Sequence, residues 1–101
     1  MADPQFSVII PTFNRERTIE RALESVLAQR QPAGEIILVD DGSSDGTTAL
    51  VRRRFPDVRL LQFESNRGPA IARNMAIEHA VHDHLAFLDS DDAWDPDYLA
   101  A

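Results

Sequence analysis

Four short runs of β-branched and aliphatic residues recur along the chain, separated by segments with helical spacing of apolar residues. The runs predict strands at 6–10, 35–39, 58–63 and 84–88. The segments between them predict helices at about 15–29, 47–54 and 69–80. Alternation of strand and helix is typical of right-handed βαβ units on a parallel sheet. The sequence therefore predicts an α/β fold built on one parallel sheet.

Polar segments follow the carboxyl end of every predicted strand. They are, in chain order, Pro11-Thr12-Phe13-Asn14, Asp40-Asp41, Asn66-Arg67-Gly68 and Asp89-Ser90-Asp91-Asp92. Ligands of open parallel sheets lie outside the carboxyl ends of the strands. We therefore expect these four segments to form one binding site.

The last of these segments places three acids within four positions, directly after the apolar run Leu85–Leu88. Side chains alternate along a strand, so Asp89 and Asp91 are expected to point the same way. Neighbouring carboxylates repel each other, and Mg²⁺ or Mn²⁺ relieves that repulsion because these ions favour oxygen ligands. The Asp-x-Asp pattern predicts a site for a metal–diphosphate. Taken alone, so short a motif also fits a polar turn that caps the next segment.

Charged residues after the second and third strands suit nucleotide recognition. Asp41, with Asp40 beside it, suits hydrogen bonds from a nucleobase N–H or a ribose hydroxyl; helix capping or loop solvation is the alternative. We assign Asp45 to a helix cap. Arg67 and Arg73 suit neutralisation of phosphate, and a solvated helix face is their alternative.

Composition excludes several classes of protein. The 101 residues suit one domain, and a net charge of −7 makes nucleic acid and anionic membranes poor partners. All ten basic residues are arginine, so Schiff-base and P-loop lysine chemistry is excluded, as are phosphotransfer folds that need a lysine. The lack of cysteine excludes disulfides and thiolate catalysis. No apolar run approaches the roughly 20 residues of a membrane span, and we expect a cytoplasmic protein.

Four motifs together resemble the successive motifs of family 2 glycosyltransferases. They are Val8–Asn14, Ile37–Thr47, Asn66–Asn74 and Phe87–Asp92. The resemblance covers about residues 6–98 and implies the GT-A fold, a Rossmann-like nucleotide-binding fold with helices on both faces of the sheet. It also implies transfer of a sugar from a nucleotide-diphosphate sugar to an acceptor hydroxyl, with inversion and with a divalent metal.

The resemblance implies a role for each matching position. Pro11 and Thr12 would lie along the nucleoside, and Asp41 would contact the base, typically uracil, with Asp40 as its companion. Arg67 would lie near the base and the phosphates. Asp89 would reach the ribose or the metal shell, and Asp91 would ligate Mg²⁺ or Mn²⁺. The expected partner is a UDP-sugar. The donor sugar, the acceptor and the linkage are not indicated.

Inverting transfer needs a general base, which the family supplies from its C-terminal half. Because this chain ends at Ala101, we expect residues 1–101 to form the donor-binding part of the catalytic domain, truncated after the fourth strand, with no catalytic residue. The isolated chain is expected to bind nucleotide without turnover and to self-associate, as a dimer, through open sheet edges, with residues 93–101 poorly packed or borrowed by a neighbouring copy. The alternative is a nucleotidyltransferase of the same fold.

Overall fold

The computed structural model describes residues 5–100 and alternates between strands and helices as predicted. The elements are β1 (Phe6–Thr12), α1 (Ile19–Leu27), β2 (Glu35–Asp40), α2 (Thr47–Arg54), β3 (Arg59–Gln62), α3 (Pro69–His79) and β4 (His84–Phe87). Within residues 5–100, none of the helices has the length and apolar character needed to cross a bilayer.

The largest difference from the predicted bounds is at α1, which begins at Ile19 rather than near Arg15. The backbone N–H groups of residues 14–16 are engaged elsewhere. They donate to side chains of the loop that leads from β2 into α2, namely Ser43, Thr47 and Asp45. These hydrogen bonds tie this segment to the neighbouring loop, and residues 16–18 form a turn in which the Thr18 and Ile19 N–H groups both donate to the Arg15 carbonyl, at 3.0 and 2.8 Å. Regular helix therefore begins only at Ile19.

The four strands form one parallel sheet in the order β3-β2-β1-β4. The chain first adds strands on one side of β1 and then crosses to its other side to place β4. The order therefore reverses between β1 and β4, where Ile9 is paired with Phe87. In open α/β sheets such a reversal marks the crevice in which ligands bind.

Helices cover both faces of the sheet, as predicted. Val8, Ile10 and Leu38 pack with α1 and α2 on one face, and Ile9 and Ile37 pack with α3 on the other. Strands buried on both faces need apolar residues at consecutive positions, which explains the continuous apolar runs of β1 and β2.

The prediction that the end of the chain is poorly packed is wrong for Trp94 and Leu99, which pack against the core, whereas residues 93, 95–98 and 100 are exposed; Ala101 lies outside the described residues. The Gln29 amide donates to the Asp95 carbonyl at 2.6 Å and accepts from the Leu99 N–H at 3.0 Å. Leu99 is only 5% exposed and joins the core beneath α1. Strands β3 and β4 remain at the sheet edges, so the expected self-association stays a prediction.

Candidate functional site

An open cleft of about 380 Å³ lies at the carboxyl edge of the sheet, over the reversal between β1 and β4. Of the predicted site residues, it is lined by Pro11, Thr12, Asp41, Asp89 and Asp91. Residues from three different strand ends therefore meet there. Asp40 and Arg67 are not among the lining residues. Phe13, Asn66 and Arg73, which lie in or were considered with the predicted segments, line the cleft, and Arg15 is an additional lining residue.

The side chains of Asp40 and Asp41, at the end of β2, contact different loops. Asp40 is fully buried and accepts hydrogen bonds from the backbone N–H of Ser43, at 2.9 Å, and from its hydroxyl. It therefore fixes the turn that follows β2. Asp41 contacts the loop between β3 and α3 instead. Of the two aspartates, it is the one that borders the cleft.

The Asp41 carboxylate holds the loop between β3 and α3. One oxygen accepts the backbone N–H of Arg67 at 2.6 Å, and the other accepts that of Gly68 at 2.9 Å. Asp41 is 4% exposed, and burial of a carboxylate is tolerated only where donors replace its water. Gly42 lets the two loops meet: it has φ +81°, and a Cβ there would lie 2.7 Å from the Ser65 carbonyl carbon.

The two arginines considered for phosphate take different positions. The Arg67 guanidinium lies 5.1 Å from the centre of the Phe63 ring, in cation–π geometry. Arg73 lines the cleft, together with Arg15. Helical spacing contains a signal for this placement, because Arg73 lies one turn after Pro69, which itself borders the cleft at the start of α3.

The acidic turn, residues 89–92, brings three carboxylates together. Asp89, Asp91 and Asp92 are exposed, and one oxygen of each lies within 4.8 Å of the others. Strand alternation does not bring this about, since β4 ends at Phe87. A turn does: the Asp92 N–H donates to the Asp89 carbonyl at 3.0 Å. The Asp-x-Asp spacing predicts Asp89 and Asp91 as ligands but not Asp92, which is a third potential ligand.

Asn14 and Asp45 connect the loops that follow β1 and β2. The Asn14 side-chain oxygen accepts the N–H of Ser44 at 2.8 Å and that of Asp45 at 3.3 Å, and Asn14 itself has φ +51°. Asp45 accepts the N–H of Thr47, the first residue of α2, at 3.0 Å. Burial alone would raise the pKa of Asp45, but hydrogen bonds from Thr47 and from the Glu16 N–H outweigh it, and the pKa lies below its ordinary value. Asp45 thus supports the start of α2, as expected from its assignment.

Solved structures of glycosyltransferases share this fold. The S. aureus TarS 1-349 structure in complex with UDP-GlcNAc superimposes with a TM-score of 0.86 at 37% identity, over 95% of this chain and 29% of that one. A mannosyltransferase from Pyrobaculum calidifontis, in complex with GDP-Man and Mn²⁺, gives a TM-score of 0.88 at 36% identity, over 98% of this chain and 31% of that one. The predicted GT-A fold is confirmed.

Sequence comparison agrees. The Escherichia coli UDP-Glc:alpha-D-GlcNAc-diphosphoundecaprenol beta-1,3-glucosyltransferase is 43% identical over 96 residues, which are 93% of this chain and 38% of the relative. A succinoglycan biosynthesis protein of Rhizobium meliloti is 45% identical over 98 residues, 95% of this chain and 28% of that protein. The chain thus spans less than half the length of these relatives. The family model for "Glycosyl transferase family 2" matches residues 7–101, and the chain belongs to that family.

Proposed function

We propose that this chain binds a nucleotide-diphosphate sugar, UDP-linked, together with Mg²⁺ or Mn²⁺, and that the whole protein transfers the sugar to an acceptor hydroxyl with inversion. One observation carries the proposal: Asp41 and the acidic turn, distant in the chain, border one cleft at the reversal of the sheet. Solved relatives support the ligand class, since their structures hold UDP, UDP-GlcNAc, or GDP-Man with Mn²⁺.

The acidic turn has the chemistry that a hard divalent cation requires. Its three carboxylates offer only oxygen ligands, are exposed, and lie within 4.8 Å of one another, which suits Mg²⁺ or Mn²⁺. Asp91 and Asp89 would hold the ion, with Asp92 available as a third ligand. When bound, such an ion supplies charge stabilisation to a leaving diphosphate. Without it, the acidic turn would repel the diphosphate.

The opposite end of the cleft suits a nucleoside. Each Asp41 oxygen accepts one backbone N–H, which leaves further lone pairs for a base N–H. Phe13 is 42% exposed and lines the cleft beside Pro11, so its ring offers a stacking face to a base. The Thr12 hydroxyl is buried without a hydrogen-bond partner among the described residues. A ligand group that paired with it would remove the cost of that unsatisfied hydroxyl.

Arg73 and Arg15 are the cations best placed for the phosphates, because both line the cleft. Arg67 remains a candidate only if its guanidinium leaves the Phe63 ring, a contact worth about 0.5–1 kcal/mol at an exposed site. Asp40 would affect nucleotide binding only indirectly, by holding the turn after β2. We therefore place Arg73 before Arg67 in contact with the diphosphate.

Binding without transfer is proposed for the isolated chain. A general base must be available to deprotonate the acceptor hydroxyl. Among the described residues that line the cleft, Asp41 is assigned to the nucleobase and is held by two backbone N–H groups, while Asp89 and Asp91 are assigned to the cation. No lining carboxylate is left for that task.

Calorimetric titration of UDP into the chain tests this proposal. We expect binding with Mn²⁺ or Mg²⁺ and none in EDTA, because the turn and the diphosphate are both negatively charged. GDP is the matched control for the base, and it should bind more weakly than UDP. Equal binding in EDTA would contradict the metal site, and tighter binding of GDP would contradict the uridine assignment.

A further inference from the structure

Thr18, the residue before α1, makes an unusual use of its hydroxyl. Thr18 is the N-cap residue of α1, and its carbonyl accepts the Ala22 N–H at 3.1 Å. An N-cap threonine ordinarily turns its hydroxyl onto an N–H of the first turn, which is worth about 1 kcal/mol. Here the hydroxyl makes no such capping bond. It donates instead to the Ser90 carbonyl at 2.9 Å.

The acceptor of that bond lies at the centre of the acidic turn, between Asp89 and Asp91. Ser90 is 6% exposed, whereas the aspartates on either side are exposed. The turn is tied to the sheet before it, by the Leu88 N–H on the Ile9 carbonyl, and closed on itself by the Asp92 N–H on Asp89. Within residues 5–100, the Thr18 hydroxyl is the group that anchors the middle of the turn to another element.

Repulsion between the carboxylates makes such an anchor useful. Three negative groups within 4.8 Å of one another favour conformations in which the turn opens and the carboxylates separate. A fixed Ser90 carbonyl restricts rotation of the peptide unit that joins Ser90 to Asp91. The Asp91 side chain is thereby directed before any cation arrives, and binding loses less conformational entropy.

We propose that Thr18 is a positioning residue of the metal site: through the Ser90 carbonyl, its hydroxyl preorganises the acidic turn for a divalent cation. This inference rests on the proposed function, because it requires that the turn bind metal. It assigns to the start of α1 a role in metal affinity, and it explains why the hydroxyl is withdrawn from its own helix.

The test compares Thr18→Val, which keeps the branched shape but removes the donor, with Thr18→Ser, which keeps the donor. Free Mn²⁺ is measured by electron paramagnetic resonance in titrations of the 101-residue chain. Loss of one neutral hydrogen bond corresponds to about three- to tenfold in an equilibrium constant. Thr18→Val should weaken Mn²⁺ binding by that factor, and Thr18→Ser should lie within about twofold of the wild type.

Ser25→Ala is the matched control. Ser25 also offers a hydroxyl from α1 to the segment beyond the turn, accepting the Trp94 N–H at 3.0 Å, but it does not contact residues 89–92. It should lower thermal stability and leave Mn²⁺ affinity per folded molecule unchanged. If Thr18→Val fails to fold, Thr18→Ala supplies a second variant without the donor.

Amide hydrogen exchange in metal-free protein separates the possible failures. Thr18→Val should speed exchange at Asp92 and leave β1 protected. If the wild type binds no Mn²⁺, the proposed metal site falls and this inference falls with it. If the wild type binds Mn²⁺ and Thr18→Val binds it equally well, only the role of Thr18 is overturned. Equal weakening by Ser25→Ala and Thr18→Val would also overturn it, by showing a general loss of stability.

Discussion

Asp41→Asn should destabilise the fold strongly, although the substitution preserves shape. The carboxylate accepts two backbone N–H groups, at 2.6 and 2.9 Å, while only 4% exposed. An amide offers one acceptor and turns its NH₂ group toward the other N–H. One charge-assisted hydrogen bond is lost, worth about 1.5–3 kcal/mol, and a buried donor is left unpaired. We expect a loss of about 2–4 kcal/mol in the free energy of unfolding, a large share of the roughly 5–15 kcal/mol typical of a domain.

Urea unfolding followed by far-ultraviolet circular dichroism measures this loss, with an unchanged slope as the condition for comparing midpoints. The expected fall in melting temperature is about 8–32 °C, at roughly 4–8 °C per kcal/mol for a domain of this size. Asp91→Asn is the matched control. Because Asp91 is exposed beside two other acids, this substitution should change the free energy of unfolding little. If Asp41→Asn unfolds at the wild-type urea concentration, Asp41 does not hold the loop before α3 as described.

Two further predictions concern the acidic turn and Glu35. Asp91→Asn should weaken Mn²⁺-dependent UDP binding at least tenfold, about 1.4 kcal/mol. Asp45→Asn should leave that binding nearly unchanged, because Asp45 supports the start of α2. If calorimetry gives the two variants the same affinity for UDP, the distinction between site and scaffold residues is wrong. Burial alone would raise the pKa of Glu35, but hydrogen bonds from the Ser7 hydroxyl and Val81 N–H, with the Arg59 charge, outweigh it and lower the pKa. The ionised Glu35 therefore contributes fully to stability above its unfolded-state pKa, and this contribution is lost as pH falls through the lower folded-state pKa. In Glu35→Gln, the urea midpoint should consequently fall less steeply at acid pH than in the wild type.

The fold was predictable because burial on both faces of the sheet leaves a direct trace in the sequence. Residues of β1 alternate between two cores, Val8 and Ile10 in one and Ile9 in the other, so the whole run must be apolar. The start of α1 was not predictable in the same way. The segment before it is tied to another loop by hydrogen bonds that Asn14, Arg15 and Glu16 donate to partners about 30 residues away, and local periodicity contains no information about such contacts.

The candidate site was predictable to the level of the strand end, but not to the level of the side chain. Spacing places Asp40, Asp41 and Arg67 at the correct edge of the sheet. It does not state that Asp40 turns to its own loop or that Arg67 lies over Phe63. Arg73 and Asp92 lie at the site for reasons of local geometry, one turn along α3 and one tight turn after Asp89.

The aspartates of the site divide according to where their hydrogen-bond donors come from. Asp40 and Asp41 are buried, and each takes donors from the protein, which a buried carboxylate requires. Asp89, Asp91 and Asp92 are exposed, and within residues 5–100 no protein donor is seen on their carboxylates. A substitution in the first group should therefore act on the loops and on stability, and at Asp41 also on the nucleoside, whereas one in the second group should act on the cation and on the nucleotide binding that depends on it. Because Thr18 contacts the backbone of the acidic turn and leaves its carboxylates free, it can order the turn without competing for the ion.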